Sequence, residues 1–430
     1  MMVNNWIVIG KKYFIQLKTN IVRLFFISVF IGCGPFESND NDGIADKVYV
    51  ALQGLDQVVI VDLEMGGTEA IDISYEFADC SGLDLEECLE TSGCMWMASM
   101  GHCHGAETHE PHFIAIDEIN RFWFVTTIMT GWVGSYNLDT NELIDTIKVG
   151  DFPALMVVNL EDQKLFVSRM MSMEDHTQSS TFIQEINYND NGMMTLSENY
   201  EIGSPAPHSI AINSNGSELY TATYEGDWLF KLLLNSNEPN EETPLEVGFS
   251  DSKSDNPKRI KPVQVVLVQD SLLFISCEGG EWTYGAGWDT IPGQLQLWNT
   301  NKMEIKDTLH LGKDSRPWHI INSPINNRVY VALKGQSDGN DNTDGIACIS
   351  FDLSNEENIL VLEWVKRSDM FALLHGIDIS ADGDKLYVSG RIDGKLHVLN
   401  AQDGEVLQSI YLGPEIETKP SGVTYYSGSN

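Results

Sequence analysis

The sequence predicts an all-β fold, a seven-bladed β-propeller built from four-stranded blades. The first observation behind this prediction is a tetrad of the type Tyr-Val-Ala-Leu, which occurs seven times at spacings of 42 to 75 residues. Such spacings are typical of one four-stranded blade plus its loops. The second is that the two ends of the chain supply complementary parts of one blade. The tetrads begin at Tyr49, Phe124, Phe166, Tyr220, Phe274, Tyr330 and Tyr387.

Six repeats are complete, and each starts with an inner strand that is separated from its tetrad by seven to nine residues. These inner strands are predicted at 111–116, 153–156, 207–210, 262–265, 318–321 and 374–377. The first tetrad has no such strand before it, because strands are predicted only at 47–52, 57–63 and near 70–73. The segment 420–426 would supply the missing inner strand and close the ring, which removes the exposed edges of an open array.

The segment 374–390, Leu-His-Gly-Ile-Asp-Ile-Ser-Ala-Asp-Gly-Asp-Lys-Leu-Tyr-Val-Ser-Gly, resembles the repeat of the YncE-like, YVTN-type propellers of bacteria and archaea. The resemblance extends over residues 47–426. It implies the propeller fold, but it does not imply one activity, because the superfamily contains surface proteins, lactonases, amine-dehydrogenase heavy subunits and metal-dependent oxidases.

The charge of the chain limits its partners. With 63 acidic and 26 basic residues, the net charge is −37. Nucleic acids and anionic membrane surfaces require a positive surface, so we expect neither as a direct partner. The hydrophobic content of 42% is sufficient for a large core, and we expect a monomer.

The first 32 residues have the pattern of a secretory signal peptide. Basic residues precede a short apolar run at 24–31, and Gly32 and Cys33 follow it. The string Phe-Ile-Gly-Cys resembles the lipobox of bacterial lipoproteins, which implies that Cys33 carries a lipid anchor. Residues 33–46 then form an acidic tether. By the same resemblance, Gly34 in place of Asp implies the outer membrane, facing the periplasm or the surface.

Six further cysteines remain, an even number for an oxidising compartment. Four of them, Cys80, Cys88, Cys94 and Cys103, lie in an insert at 75–110 between the first and second blades. We expect two disulfides there, with three pairings open, and the alternative is a thiolate metal site. The state of Cys277 and Cys348 is left open.

The long connections predict one functional face. The segments 75–110, 170–180, 250–261, 278–293 and 334–344 should all lie where the inner strands begin, whereas the turns at the other ends of those strands are short. Candidate binding residues in these loops are Trp282, Tyr284, Trp288 and His176. The aromatic residues could contact a glycan or a peptide, or they could fold back over the channel.

Four inner strands start near a histidine: His112, His208, His319 and His375. They should surround the channel, and His104 and His109 of the insert could join them. Imidazoles bind copper, zinc or iron, so one transition metal ion is a candidate cofactor. The alternative is that each His fixes a strand by bonding a backbone carbonyl of the next blade.

Three functions follow from these observations. The first is a binding or scaffolding module of the cell envelope with a protein, peptide or glycan ligand. The second is a His-ligated metal protein or enzyme. The third is a lactonase-like hydrolase, which would need carboxylates such as Glu110 and Asp314 to hold a divalent cation. No nucleophile-elbow, P-loop or dinucleotide motif occurs in the required context, which favours the non-enzymatic hypothesis.

Overall fold

Seven antiparallel sheets of four strands each follow one another along the chain, and their inner strands line one central channel. The fold comes from a computed structural model. It describes residues 45–428 except for 92–93, 98–100, 151, 171–180, 235–244, 249–258, 284–287, 336–342 and 356. The predicted leader, Cys33 and nearly all of the predicted tether lie outside the described residues.

The strands appear in the predicted order. The chain starts with β1 (Lys47–Leu52), β2 (Gln57–Asp62) and β3 (Thr68–Asp72), and the insert contains α1 (Leu85–Glu90), β4 (Cys94–Met97) and β5 (His102–Gly105). The second blade is β6 (Pro111–Asp117), β7 (Phe122–Thr127), β8 (Trp132–Asn137) and β9 (Leu143–Lys148). The third blade is β10 (Pro153–Asn159), β11 (Lys164–Arg169), β12 (Thr181–Tyr188) and β13 (Met194–Ile202).

The remaining blades have the same plan. The fourth is β14 (Ala211–Ile212), β15 (Glu218–Thr223), β16 (Trp228–Leu233) and β17 (Leu245–Gly248). The fifth contains β18 (Pro262–Val268) and β19 (Leu272–Cys277), then a hairpin of β20 (Gly280–Thr283) and β21 (Trp288–Ile291), then β22 (Gly293–Asn299) and β23 (Glu304–Gly312). The sixth is β24 (Pro317–Asn322), β25 (Arg328–Leu333), β26 (Gly345–Phe351) and β27 (Leu360–Arg367). The seventh is β28 (Leu374–Ile379), β29 (Lys385–Gly390), β30 (Lys395–Asn400) and β31 (Val406–Tyr411), and β32 (Pro420–Tyr426) follows it.

The ring closes through the two ends of the chain, as predicted. Strand β32 pairs antiparallel with β1, with Tyr49 opposite Thr424 and Val50 opposite Val423. The resulting sheet has the order β3-β2-β1-β32, so the first blade contains one strand from the C-terminal end. The fold class is therefore a seven-bladed propeller of four-stranded antiparallel blades.

The tetrads recur because the second strand of each blade lies between the first and third strands of that blade and is packed between the two neighbouring blades. The aromatic residue that begins each of the seven tetrads is at most 1% exposed. Burying a large apolar side chain contributes roughly 1.5–3 kcal/mol, so the repeat places one such contribution in every blade.

The third residue of several tetrads connects neighbouring blades. The hydroxyl of Ser168 accepts the backbone N–H of Leu155 in its own blade and donates to the carbonyl of His208 in the next, at 3.1 and 2.9 Å. Equivalent pairs of bonds are made by Thr126, Ser276 and Ser389. The inner strands shift register at these points, so each hydroxyl fills the gap that a β-bulge leaves in the ladder.

One predicted inner strand is much shorter than expected. Residues 207–210 were predicted as strand, but β14 contains two residues, preceded by a single bridge between Pro207 and Thr223. The Ser209 hydroxyl accepts the backbone N–H of Ala222, and the Thr221 hydroxyl donates to the Ser209 carbonyl. These side-chain bonds replace the regular ladder.

The insert forms its own small unit around two disulfides. Cys80 is bonded to Cys94 and Cys88 to Cys103, which decides among the three possible pairings. The helix α1 starts with a capping box between Asp84 and Glu87. Cys277 and Cys348 are buried thiols in the propeller core. No helix in the described part of the chain is long and apolar enough to cross a membrane.

Candidate functional site at the channel mouth

The four histidines predicted to surround the channel lie together where the inner strands begin, which we call the mouth. Their rings form a closed circuit. The ring centroids of His112 and His208 are 5.9 Å apart, those of His208 and His319 6.1 Å, those of His319 and His375 4.8 Å, and those of His375 and His112 5.7 Å. All four side chains are buried.

Two of these rings are held in a defined tautomer. Gln53 Nε2 lies 2.8 Å from His112 Nδ1, and since an amide nitrogen can only donate, the proton of His112 is on Nε2. His208 Nδ1 lies 2.8 Å from the carbonyl of Val263, so it carries the proton and donates. The bond from His208 to the next blade is the structural role that the sequence left open as an alternative.

Burial keeps the four imidazoles neutral. It is the main cause that lowers the pKa of His208 to about 4, and neighbouring Lys334 adds to it. The pKa of each of the other three lies well below the usual histidine value for the same main reason. Arg391 lowers the pKa of both His112 and His375 further. A second positive charge, in addition to that of Lys334, therefore acts on the four histidines.

A second circle of residues surrounds the histidines, and it has a simple origin in the repeat. The residue after each tetrad donates its backbone N–H to the carbonyl of the residue before an inner strand. The seven bonds run from Gln53 to Lys419, Ile128 to Glu110, Met170 to Phe152, Tyr224 to Ala206, Glu278 to Lys261, Lys334 to Arg316 and Arg391 to Leu373.

The seven acceptors share an unusual backbone conformation. Their φ angles are all positive, between 46° and 56°, although none is glycine. Such residues cost of order 1–3 kcal/mol each and persist where the surrounding structure imposes them. This conformation brings the residue before each inner strand into contact with the residue after a tetrad. Both kinds of residue therefore lie at the mouth.

The charged residues of this second circle form a compact cluster. Glu278 is 0% exposed, and it is paired with Arg316 and with Lys334, whose Nζ lies 3.7 Å from Oε1. Tyr224 donates its hydroxyl to the same carboxylate. Burial opposes the charge of Glu278, but Lys334 and Arg316 keep the pKa of its carboxyl below the usual value.

Lys334 also contacts an aromatic face. Its Nζ lies 3.9 Å from the centroid of the Trp318 ring, and Trp318 in turn packs on His208 and His375. Burial lowers the pKa of Lys334 to about 8, with Arg316 and Arg391 acting in the same direction and Glu278 against them. The low pKa therefore reflects mainly the loss of water around the ammonium, with a smaller effect of the two neighbouring arginines.

Five buried nitrogen atoms at the mouth have no hydrogen-bond partner among the described residues. They are His112 Nε2, His319 Nε2, His375 Nδ1, Trp318 Nε1 and Arg391 Nη1. Buried polar groups in folded proteins nearly always have a partner, so a group of unpartnered ones marks a place that a ligand or ordered water would occupy. At least three of the five, those of His112, Trp318 and Arg391, are N–H donors.

In the described part of the chain, no three of the four histidines bring their ligand atoms within 4.8 Å of one another. Among the described residues, the only three side chains whose ligand atoms all lie within 4.8 Å of one another are Cys80, Cys94 and Cys103, which are in disulfides. Two cations, Lys334 and Arg391, also act on the imidazoles and would repel a metal ion. The metal hypothesis stays a prediction for direct analysis.

The two histidines of the insert have other roles. His109 is buried, stacks on Phe77 at a centroid distance of 4.2 Å, and donates its backbone N–H to Asp56 at 2.9 Å. Its Nδ1 lies 2.9 Å from the Thr130 hydroxyl, so it fastens the insert to the propeller. On the surface, His104 Nε2 lies 3.7 Å from Glu107 Oε1. In the described structure neither has a ring contact or a hydrogen bond with the four channel histidines.

The candidate binding residues of the loops are only partly described. Tyr284 and His176 lie outside the described residues. Trp282 is in β20 and Trp288 in β21, where Trp282 is opposite Asp289 and Thr283 opposite Trp288. This hairpin interrupts the connection between β19 and β22, directly after Glu278. The contacts of these aromatic side chains stay a prediction.

The residues that sequence reasoning did not find are those after the tetrads: Gln53, Tyr224, Glu278, Lys334 and Arg391. Their side chains differ too much to form a motif. They could have been found only from their position in the repeat. Each residue directly follows the last residue of its tetrad, so all of them must lie at the same height around the channel.

Comparisons with known proteins support the fold. No protein-family model and no curated protein matches the chain. The periplasmic gluconolactonase of Pseudomonas aeruginosa is similar in structure, with a TM-score of 0.60 and 15% identity, covering 88% of this chain and 98% of its own. A functionally unknown protein from Desulfotomaculum acetoxidans gives a TM-score of 0.60 at 12% identity, covering 89% and 99%.

The hydrazine synthase of Kuenenia stuttgartiensis gives a TM-score of 0.57 at 12% identity and covers 75% of this chain and 96% of its own. At such identities the likeness shows the fold alone. The narrower resemblance to YncE-like propellers therefore stays a prediction.

Proposed function

We propose that this chain is a ligand-binding propeller that holds a small organic anion, a carboxylate, at the mouth of its channel. The observation that carries the proposal is the group of unpartnered N–H donors beside Arg391 and Lys334. Arg316 and Lys334 pair with the buried Glu278, and Arg391, which acts on Lys334, is itself influenced by Glu110, in a chain whose overall charge is −37. Three cations against two acids favour an anion over a metal cation.

A carboxylate suits these groups better than a spherical anion. The planar guanidinium of Arg391 can donate two parallel bonds to its two oxygens. His112 offers a third donor through Nε2–H, and Lys334 supplies charge nearby. The Trp318 ring would face the carbon atoms of the ligand, as aromatic residues often do in small-molecule sites.

Glu278 and Tyr224 hold this arrangement in place. The Glu278 carboxylate pairs with Arg316 and Lys334 and accepts the Tyr224 hydroxyl. Without it, three cations would lie together in a buried environment, which is unfavourable. Its role is therefore to position the cations, and it leaves Arg391 free for the ligand.

The wider setting is also a proposal. The predicted signal peptide at 1–32 and lipidated Cys33 support a lipoprotein of the cell envelope, with the propeller presented on a tether and attached to the membrane only through lipid. On this basis a protein, peptide or glycan remains the candidate partner of the long loops. Fractionation of cells that express Cys33→Ser tests the anchor, because the variant should leave the membrane fraction.

Lactonase-like hydrolysis is a second candidate function. Burial raises the pKa of Asp344 to about 7, which suits a proton acceptor, and Asp344 lies against the backbone of Gly335, next to Lys334. Hydrolysis of a sugar lactone would yield a hydroxycarboxylate, the kind of anion proposed for the mouth. The gluconolactonase named above makes D-glucono-δ-lactone a reasonable first substrate to assay.

Calorimetric titration with D-gluconate tests the binding proposal, with uncharged D-glucose as the control ligand. The matched variants are Arg391→Gln at the mouth and Arg328→Gln, whose side chain bonds Gln402 at the start of β25. Losing a charged hydrogen bond costs about 1.5–3 kcal/mol, so Arg391→Gln should weaken gluconate binding about 10- to 100-fold. Equal affinity of both variants, or equal binding of gluconate and glucose, would contradict the proposal.

A further inference from the structure

A chain of hydrogen bonds joins three side chains in the outer half of the seventh blade. His397 Nε2 in β30 lies 2.9 Å from Asp393 Oδ2, and His397 Nδ1 lies 2.8 Å from Ser409 Oγ. The imidazole and the carboxylate are buried, whereas Ser409, on the outermost strand β31, is exposed. None of these three side chains belongs to the channel mouth.

The bonding partners decide where the protons are. A carboxylate can only accept, so His397 donates its Nε2–H to Asp393. In the neutral imidazole Nδ1 then carries a lone pair and accepts the hydroxyl proton of Ser409. A nucleophile, a base within hydrogen-bonding distance and a third group that orients the base are the arrangement of an activated serine.

The position of the acid depends on a glycine. Gly390 ends its tetrad, whereas the other six tetrads end in a residue with a side chain. A Cβ at Gly390 would collide with the carboxylate of Asp393. Asp393 Oδ1 accepts the backbone N–H of Lys395 at 3.0 Å, and the Phe371 ring packs edge-on against His397 at a centroid distance of 5.0 Å. The acid and the imidazole are therefore both held in place.

The backbone of Ser409 faces away from β30. Leu412 donates its N–H to the carbonyl of Gly394 at 2.9 Å, and in an antiparallel ladder hydrogen-bonded and non-hydrogen-bonded pairs alternate from there. His397 and Ser409 are opposite each other three residues further on, so they form a non-hydrogen-bonded pair with close side chains. The N–H of Ser409 points to the outer edge of β31, where no described strand pairs with it. It can donate to an oxyanion formed at the serine.

We propose that Ser409 is the nucleophile of an ester-hydrolysing site, with His397 as its base and Asp393 as a positioning residue. Ser409 Oγ bonds to the carbonyl carbon of an ester, and the hydroxyl proton passes to His397 Nδ1. The bond between that carbon and the alcohol oxygen then breaks, and the alcohol leaves with the proton. Water attacks the acyl-serine in the same way, which releases the acid and restores the hydroxyl.

The surroundings indicate the class of ester. Tyr411 lies two residues after Ser409, on the same face of β31, and is 64% exposed. Its ring offers an apolar surface to an acyl group beside the serine. The net charge of −37 disfavours an anionic substrate, so an uncharged ester is expected. The site does not depend on the anion proposed for the mouth, because its side chains belong to β30, β31 and the turn before β30.

The direct test is labelling of the wild-type protein with a fluorophosphonate, which bonds to activated serine oxygens and loses fluoride. Ser197 is the matched control, since it is exposed on the outer strand β13 and its hydroxyl donates to Glu185 at 3.0 Å. General-base catalysis contributes roughly 10²–10⁴-fold, so mass spectrometry should show Ser409 labelled about 100-fold faster than Ser197. Equal rates, or no label on Ser409, would overturn the proposal.

Two variants test the roles of the residues. In Asp393→Asn the Lys395 N–H holds the amide oxygen, so the NH₂ group faces His397 and moves the ring proton to Nδ1. Labelling of Ser409 should fall at least about tenfold, whereas labelling of Ser197 should not change. Ser409→Ala, at an exposed position, decides the question if Asp393→Asn does not fold. It should abolish hydrolysis of p-nitrophenyl butyrate, and Ser197→Ala should not. Unchanged hydrolysis in Ser409→Ala would also overturn the proposal.

Discussion

Arg391 donates its backbone N–H to the carbonyl of Leu373 at 3.1 Å, and Leu373 has a left-handed φ of 56°. The same bond occurs in all seven blades, between the residue after the tetrad and the residue before the inner strand. One repeated backbone geometry therefore places seven different side chains around one mouth. The chemistry of the site depends on which residues occupy these positions.

Anion binding should depend on the protonation of Lys334. Its pKa is lowered to about 8, so the ammonium is present at pH 7 and largely lost at pH 9. Since about a tenth of the lysine stays protonated one unit above its pKa, gluconate affinity should fall about tenfold between pH 7 and pH 9. Calorimetry at the two pH values measures this.

The variant Lys334→Gln isolates that contribution. Asp344, with a pKa of about 7, gains negative charge in a similar range and also weakens anion binding. The variant should keep only the part that is due to Asp344, whereas Lys385→Gln, at an exposed position of β29, should behave as the wild type. An unchanged pH dependence in Lys334→Gln would show that another group is responsible.

The hydroxyl bridges between blades should contribute to stability. Ser389 accepts the N–H of Gly376 at 2.8 Å and donates to the carbonyl of Ser421 in the closing strand at 2.7 Å. Ser389→Ala leaves both buried groups without their partner, which should lower the free energy of unfolding by about 1–3 kcal/mol. Urea denaturation measures the change.

The matched control is Ser350→Ala, because that hydroxyl donates to Glu363 on the surface. Exposed substitutions usually change stability by no more than about 0.5 kcal/mol. Equal destabilisation by the two alanines would show that the bridges do not hold the blades together.

The disulfides should stabilise the insert without supporting the propeller. The four cysteines form a cluster separate from the blade cores, with Ala78 and Leu83 packed against it. Closing a loop of 15 residues contributes about 3 kcal/mol, so reduction should unfold the insert locally. Hydrogen exchange in the presence of a phosphine reductant should rise at 80–103 and stay low in β6 and β7. Loss of protection in those strands would mean that the insert and the propeller unfold together.

Metal analysis separates the two hypotheses for the histidines. Because Lys334 and Arg391 lie beside the imidazoles, we expect equal copper, zinc and iron contents in the wild type and in His112→Ala/His208→Ala. The protein should be purified from an oxidising periplasm without chelator. About one equivalent of metal that is lost in the variant would favour a metal centre instead.

The repeat made much of the fold predictable. An aromatic residue at the start of each tetrad is buried between blades, so its period fixed the number of blades, and the unpaired ends fixed the closure. A strand was predicted at 207–210, but the short length of β14 was not foreseen. The bonds of Ser209 and Thr221 that replace the ladder depend on side-chain geometry, which periodicity does not describe. The disulfide pairing was likewise open until the positions of the four cysteines were known.

The site was only half predictable. The histidines could be found because one residue type recurs near the start of four inner strands. Gln53, Tyr224, Glu278, Lys334 and Arg391 share no chemical type, and they are brought together only when the ring closes. The metal hypothesis followed from the histidines alone, whereas the cations beside them change the kind of ligand that the mouth favours.

The most direct test is anomalous diffraction from crystals of the propeller soaked in bromide, with a second crystal soaked in zinc as the comparison. An anion site predicts a bromide peak within hydrogen-bonding distance of Arg391 Nη1 and the unpartnered histidine nitrogens, and no zinc peak there. A zinc peak among the four imidazoles without bromide at Arg391 would contradict the anion site and restore the metal centre.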